Sequence, residues 1–153
     1  MSVSPPVRAA RPKSCPEESV FVELLRIADR LSRAPAQLLK EHDLSPNQYN
    51  ILRILRGAPD GLLCGEIAAR MITRDPDITR LLDRLEARGL IARSRPDQDR
   101  RRVLTRIAAE GLALLNRLDG PICEIHRRQL GHLGRKRLTD LGHLLEGCSS
   151  EGG

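Results

Sequence analysis

Apolar residues near the start of the chain recur at the spacing of one helical face. The intervals of four, three and four positions predict a helix from Glu17 onward, and they rest on Val20, Leu24, Ile27 and Leu31. Pro35 has no N–H and its ring crowds the preceding turn, so we expect a kink or a break there. Leucines continue the pattern to Leu44, which makes residues 17–44 one helical region.

A second helix is predicted to open with a capping box. Ser45 is the N-cap, Pro46 takes the first helical position, and the Gln48 side chain can return to the Ser45 backbone. This helix ends at Gly57, and the turn residues at 59–61 follow it. The pattern beyond the turn predicts a short strand and then a helix with a buried face, formed by Leu62 and Leu63 and by Ile67, Ala68 and Met71.

The stretch from Asp75 to Gly89 predicts a further helix with one apolar face. Asp75 is the expected N-cap and Pro76 the first helical residue. Gly89 supplies the left-handed residue that ends the helix. The apolar positions fall at i, i+3, i+4 and i+7, and they are Ile78, Leu81, Leu82 and Leu85. The opposite face is polar and carries Asp77, Thr79, Arg80, Asp83, Arg84 and Arg88.

Two short strand-forming runs, 90–95 and 100–106, flank turn residues at 96–99 and predict a hairpin. Six of the fourteen residues from 93 to 106 are arginine, which is more charge than a hairpin needs in order to fold. Two short helices in a tight connection, followed by a basic hairpin, predict a winged helix-turn-helix over residues 45–107. The hairpin is the wing of that unit.

Helical apolar spacing resumes after the hairpin, over residues 108–148. Gly120 and Pro121 predict a bend or a break in this region. The apolar positions on either side are Leu112, Leu115, Leu118, Ile122 and Ile125, and then Leu138, Leu141, Leu144 and Leu145. Regions 17–44 and 108–148 have apolar faces with no partner inside one small winged unit, so we expect them to form the interface of a two-fold dimer.

The predicted fold class is therefore mainly α with a small β-hairpin wing: a winged helix-turn-helix domain plus terminal dimerisation helices. Residues 1–16 form a flexible basic tail, because they are rich in proline and lack an apolar period. Residues 149–153 are predicted to be a disordered tail.

Composition narrows the class of function. The 26 Lys and Arg residues exceed the 20 Asp and Glu residues by six, which favours a polyanionic partner. One Tyr, one Phe and no Trp argue against a stacking platform for single strands. No apolar run approaches the roughly 20 residues of a membrane span, so we expect no membrane partner and a cytoplasmic location. No enzyme motif is present, so we expect no catalytic residues and no cofactor.

Residues 77–91, DITRLLDRLEARGLI, and the later Asp99-Arg100-Arg101 resemble the MarR family of winged-helix transcription regulators. The resemblance extends less sharply from about Glu18 to Glu146. It implies a dimeric repressor that binds a pseudo-palindromic operator in double-stranded DNA. A small ligand or a chemical signal is expected to relieve the repression. It also implies that Asp99 holds the guanidinium of Arg101, which then enters the minor groove.

The residues expected to contact DNA lie on the polar face of the 76–88 helix, just before it, and in the wing. An arginine on the helix can take guanine O6 and N7 together, and an aspartate can accept from cytosine N4. The candidates are Thr73, Arg74, Asp77, Thr79, Arg80, Arg84, Arg93, Arg95, Asp99, Arg100, Arg101 and Arg102. The competing interpretation is a solvated helix face with surface pairs Asp77–Arg80 and Asp83–Arg84.

Three alternatives to an effector-controlled regulator stay open. The first is an architectural or weakly specific DNA-binding protein, and the second is a winged helix that binds only protein. The third is a regulator that senses redox state through a cysteine. Cys15 lies before a helix start and beside Lys13, a setting that favours a thiolate. Cys64, Cys123 and Cys148 show no paired spacing, and Cys123 with His126 supplies only two ligands, so no metal site is predicted.

Overall fold

A computed structural model describes residues 15–150, and this part of the chain contains six α-helices and one two-stranded sheet. The helices are α1 (Pro16–Glu41), α2 (Pro46–Arg56), α3 (Cys64–Arg70), α4 (Ile78–Ala87), α5 (Ala109–Leu130) and α6 (Gly134–Ser150). The strands are β1 (Ile91–Ser94) and β2 (Leu104–Ile107), and one 3₁₀ turn, Gly131–Leu133, joins α5 to α6. A mainly helical fold with a small hairpin is thus confirmed.

The chain divides into two compact units, one ending at Arg33 and the other beginning at Ala34. The first unit contributes the first half of α1, whose large apolar side chains are exposed. Val20 is 57% exposed, Phe21 60% and Leu25 57%. The helix predicted from the apolar spacing is present. Of its predicted stripe, Val20, Leu24 and Ile27 are exposed among the described residues, whereas Leu31 is partly buried.

The core of the second unit is built around α2. Ile51, Leu52 and Leu55 are each 0% exposed, because all three project from the same side of this helix. The other fully or nearly fully buried side chains come from several elements: Leu39, Ile67, Leu82, Leu85, Leu115 and Leu118. One predicted buried position is wrong, since Ala68 is exposed. Leu115 and Leu118 of α5, expected at a dimer interface, lie in this core instead, whereas Leu112 is 40% exposed.

The start of α2 has the capping box predicted from the sequence. The Ser45 hydroxyl accepts a hydrogen bond from the Gln48 backbone N–H at 3.1 Å, and the Gln48 side chain accepts from the Ser45 N–H at 3.0 Å. Two N–H groups that the first turn would leave unpaired are satisfied in this way. The cap fixes where the helix-turn-helix begins.

The two strands pair antiparallel, with Ile91 opposite Ile107 and Ser94 opposite Leu104. Leu62 forms a single bridge to Thr105, with hydrogen bonds of 3.0 and 2.8 Å between their backbones. The strand predicted near Leu62 is therefore present as one bridging residue. It covers β2 on its second edge, and Thr105 is only 1% exposed as a result.

Helix α5 approaches the root of the hairpin more closely than a side chain would allow. A Cβ atom at Gly111 would lie 2.2 Å from the carbonyl oxygen of Leu90 and 3.0 Å from Cγ1 of Ile107. The Leu90 carbonyl also accepts from the Ala108 N–H at 3.0 Å. Glycine is needed here for space, which the apolar periodicity of the helix gave no means of anticipating.

The helix breaks expected at two prolines are absent. Pro35 lies inside α1 and Pro121 inside α5, and both helices continue through them. A proline removes one hydrogen bond and crowds the preceding turn, but the flanking turns keep their own hydrogen bonds and hold the helix. The predicted breaks were therefore wrong, and a kink at Pro35 or a bend at Pro121 stays a prediction.

The helices also extend into the segments predicted to be tails. Helix α1 begins at Pro16, and α6 reaches Ser150, beyond the end predicted at residue 148. Residues 1–14 and 151–153, which hold the rest of both predicted tails, lie outside the described residues. No helix of the described part is both long and apolar enough to cross a lipid bilayer.

Candidate nucleic-acid interface

Helix α4 presents one face to the core and one to solvent. Leu82 and Leu85 are 2% and 0% exposed, whereas Thr79, Arg80 and Arg84 are exposed. Gly89, with φ of +70°, follows the helix in the left-handed conformation predicted for it. The amphipathic helix predicted from the sequence is thus present, and its three candidate base-contacting side chains share the solvent side.

The start of α4 differs from the prediction. Asp75 does not cap the helix; its carboxylate accepts from the Asp77 N–H at 2.9 Å and from the Asn47 side-chain amide at 2.7 Å. These hydrogen bonds, the Asp77 one foremost, lower the pKa of Asp75 below its ordinary value. The helix instead begins at Ile78, with exposed Asp77 at the N-cap and no side-chain cap. Asp75 therefore anchors the preceding loop to α2.

A second asparagine of α2 holds the other end of this loop. The Asn50 side-chain oxygen accepts from the Ile72 N–H at 2.9 Å, while the Ile72 side chain is 84% exposed. Thr73 and Arg74 lie between the two anchors and are exposed. The sequence pattern indicated the loop residues but not the two asparagines, because their partners are 22 and 28 positions away.

The tip of the wing is organised by local contacts with its own backbone. The Arg95 guanidinium donates to the Arg100 carbonyl at 2.8 Å. The Asp99 carboxylate accepts from the backbone N–H of Arg101 at 3.1 Å, not from its guanidinium. The implied Asp99–Arg101 side-chain pair is thus corrected: Asp99 shapes the turn. In the described part of the chain, the Arg101 side chain has no protein partner and is exposed, as are Arg100 and Arg102.

Arg93 is directed at α4. Its Nε donates to Glu86 at 2.8 Å, and its Nη2 donates to Asp83 at 2.6 Å and also to Glu86. This pairing lowers the pKa of Glu86 and raises that of Arg93, in both cases chiefly through their mutual hydrogen bond. The Arg93 side chain is only 24% exposed. Asp83 thus pairs with Arg93 and not with Arg84. The DNA contact expected of Arg93 stays a prediction, and in this structure its guanidinium binds the two acids of α4.

Arg88, at the end of α4, was not selected as a functional residue. Its guanidinium donates to the backbone carbonyls of Asp43 at 2.6 Å and His42 at 3.1 Å. Asp43 has a positive φ of 54°, so this connection between α1 and α2 turns sharply. Arg88 thereby ties the end of α4 to the segment that precedes the capping box.

The cysteines are unpaired, and Cys15 is exposed. Its Sγ accepts a hydrogen bond from the Glu18 N–H at 3.4 Å, so Cys15 caps the first turn of α1. Within residues 15–150, no group of three or more His, Cys, Asp or Glu side chains is arranged to hold a metal ion. With no metal-ligand group and no disulfide in the described chain, the main candidate site is the set of exposed arginines on α4 and the wing.

Comparison with known proteins places this cluster in context. The family model described as "MarR family" matches residues 42–102, which include α2, α3, α4, β1 and the turn of the wing. The homoprotocatechuate degradative operon repressor of Escherichia coli is 30% identical over 129 residues, which cover 84% of this chain and 86% of the relative. The chain belongs to the MarR family. It is a DNA-binding transcription regulator.

Two solved structures are similar to most of this chain. A MarR transcription factor from Planctomyces limnophilus is 39% identical, with a TM-score of 0.67, and the match covers 89% of this chain and 98% of that one. The S. aureus MepR–DNA complex is 25% identical, with a TM-score of 0.74, and covers 85% and 96% of the two chains. The winged helix predicted from the sequence is therefore the fold of this MarR-family chain.

Proposed function

We propose that this MarR-family regulator is a cytoplasmic homodimer that binds a pseudo-palindromic operator in double-stranded DNA. It represses transcription until a small-molecule effector releases it. The observation that carries the proposal is the state of three arginines. Arg80 and Arg84 on α4, and Arg101 in the wing, are exposed, and their guanidinium groups have no hydrogen-bonding or ionic partner in residues 15–150.

Each of these free guanidinium groups suits a different part of a duplex. Arg80 and Arg84, with Thr79 and Asp77, would face base edges in the major groove, where arginine can bind guanine bidentately. Thr73 and Arg74 precede the helix on an anchored loop and would contact phosphates. Arg101, flanked by Arg100 and Arg102 with Arg95 bracing the tip, would enter the minor groove, whose negative potential attracts arginine.

A two-fold dimer would present two copies of α4, one from each chain, to successive turns of one face of the DNA. The exposed apolar face of α1, with Phe21 at 60% and Leu25 at 57%, supports such an assembly. Helix α6 has a comparable face, with Leu144 70% exposed and Leu145 42% exposed. Faces of this kind in a soluble chain favour burial against another protein surface.

The effector is proposed on the relative's function and on linkage. The E. coli relative is named as the repressor of a degradative operon for homoprotocatechuate. A ligand of such a pathway relieves repression if it binds one arrangement of the dimer more tightly than the DNA-bound arrangement. For this chain we propose a small organic ligand as the effector class.

The test begins with duplexes selected by the wild-type protein from a randomised 30-base-pair library. Arg101→Ala should lower affinity for a selected duplex by about 1–3 kcal/mol, the range for a base-contacting arginine. Arg117→Ala, which removes an exposed arginine from α5, is the matched control and should bind like wild type. Equal affinity for selected and scrambled duplexes would instead indicate an architectural DNA-binding protein, and indifference to Arg101 would contradict the wing assignment.

A further inference from the structure

Arg93 differs from the other arginines of the wing in being fully engaged by the protein. Its guanidinium spans Glu86 and Asp83, with donor–acceptor distances of 2.8 Å from Nε to Glu86 and 2.6 Å from Nη2 to Asp83. Only 24% of its side chain is exposed, against 58% for Asp83 and 39% for Glu86. The cation is therefore covered while the two acids remain partly open to solvent.

The two acids occupy an unfavourable position for a DNA-binding helix. Asp83 and Glu86 are three residues apart, so they lie on neighbouring positions of the same helix surface. Asp83 directly precedes Arg84, one of the proposed base contacts. A carboxylate left unpaired beside a phosphate backbone repels it, and the repulsion is strongest where water is excluded on binding.

One guanidinium is suited to neutralising both acids at once. Its donors form a rigid planar fork, so a single arginine can bridge two carboxylates with defined geometry, which a lysine cannot do. Arg93 projects from β1, where it pairs with buried Thr105 across the sheet. The fork is thus fixed to the root of the wing, and it reaches α4 past the turn at residues 88–90.

We propose that Arg93 is a positioning residue that governs DNA binding through Asp83 and Glu86 and makes no contact with DNA. The clamp masks the two carboxylates and holds α4 against the first strand of the wing. This inference rests on the proposed binding of duplex DNA by α4 and the wing. It removes Arg93 from the group of direct DNA contacts and adds two acids to the residues that shape the interface.

A double-mutant cycle separates this role from a direct phosphate contact. Arg93→Gln is compared with wild type, and the same substitution is compared with its parent in the Asp83→Asn, Glu86→Gln background. The probe is a fluorescent duplex selected by the wild-type protein. We expect a loss of roughly 10- to 50-fold in the wild-type background, because two carboxylates become unpaired, and less than about 3-fold in the amide background.

The salt dependence gives a second readout. An arginine that contacts a phosphate contributes about 0.9 to the slope of log K against log salt concentration, so its removal should lower that slope by about one. We expect Arg93→Gln to leave the slope within roughly half of that unit. Arg74→Gln is the comparison for a proposed phosphate contact and should lower the slope. Equal losses in the two backgrounds, or a slope lowered by about one, would overturn the proposal.

Two further measurements keep the test decisive. Urea unfolding of the same four proteins should show coupling between position 93 and the two acids without DNA, and additive effects there would contradict the clamp. If Arg93→Gln does not fold, Arg93→Lys in both backgrounds should show the same dependence on Asp83 and Glu86. Failure of wild type to select any duplex would contradict the proposed function, while the unfolding cycle would still decide the clamp.

Discussion

Helix α2 and the first half of α1 show the same helical spacing of apolar residues but have opposite surroundings. Ile51, Leu52 and Leu55 of α2 are 0% exposed, whereas Phe21 and Leu25 of α1 are 60% and 57% exposed. Periodicity alone therefore shows that a helix has an apolar face, not what covers that face. For α2 the cover comes from the rest of the winged unit and from α5, and for α1 we propose a second chain.

The largest effect is expected where the apolar face is already covered. Leu55→Ala should lower the free energy of unfolding by about 2–5 kcal/mol, because it opens a cavity in a fully buried site. Ile72→Ala is the control, since this side chain is 84% exposed and its loss should change stability by less than about 0.5 kcal/mol. Urea denaturation measures both. Similar values for the two variants would contradict the described core.

A substitution on the exposed apolar face of α1 should weaken dimerisation and leave the folding of the chain unchanged. We expect Phe21→Asp to weaken the dimer by roughly 30-fold or more, because it places a charge in an apolar interface. Light scattering with size-exclusion chromatography should then detect the 17.0 kDa chain where wild type elutes as a dimer. Ser19→Asp, at an exposed polar position, serves as the control. A monomeric wild type would contradict the proposed dimer.

The cap of α2 should contribute less than its buried face. Ser45→Ala removes the acceptor for the Gln48 N–H and should cost about 1 kcal/mol of stability. Ser45→Thr keeps the hydroxyl and should lose less. Thermal unfolding of both variants provides the measurement, and a Ser45→Ala protein as stable as wild type would show that the capping box is dispensable.

The smallest effect is expected from an ion pair at the edge of the same core. Arg56 donates to Asp119 at 2.8 and 3.1 Å, which joins α2 to α5 and lowers the pKa of Asp119. A depressed carboxyl pKa stabilises the fold above the ordinary value of about 4, and this stabilisation is lost as the pH falls through the depressed pKa.

We therefore expect Asp119→Asn to lower the free energy of unfolding by well under about 1 kcal/mol at pH 7, because both side chains are partly exposed. At a pH low enough to protonate Asp119, the variant should be as stable as wild type. Wild type should lose more stability than the variant between pH 5 and pH 3, in melting curves recorded at each pH. A parallel loss in the two proteins would contradict the role assigned to the pair.

The sequence predicted those features whose interacting residues are close together along the chain. The Ser45 cap, the apolar face of α4 and the hairpin depend on residues a few positions apart, and they were predicted correctly. The start of α4 was not, because Asp75 pairs with Asn47, 28 positions earlier. The same holds for Arg93, whose partners on α4 become visible only once strand and helix are folded together.

The chemistry of the candidate interface was predicted better than its geometry. Residue type and spacing identified an arginine-rich helix and wing, and most of these side chains are exposed as expected. Residue type and spacing could not indicate which arginines form hydrogen bonds with other groups of the protein. Arg93 and Arg88 are engaged with protein groups, while Arg80, Arg84 and Arg101 have no such partner within residues 15–150. This division depends on contacts across the fold.

The missing side chain at Gly111 has a mechanical consequence. Backbone meets backbone there, with no flexible atoms to absorb a shift between α5 and the hairpin root. The 22 residues of α5 extend about 33 Å from that point. We therefore expect α5 and the wing to move together. A rearrangement at the far end of α5 would then displace the wing relative to the DNA.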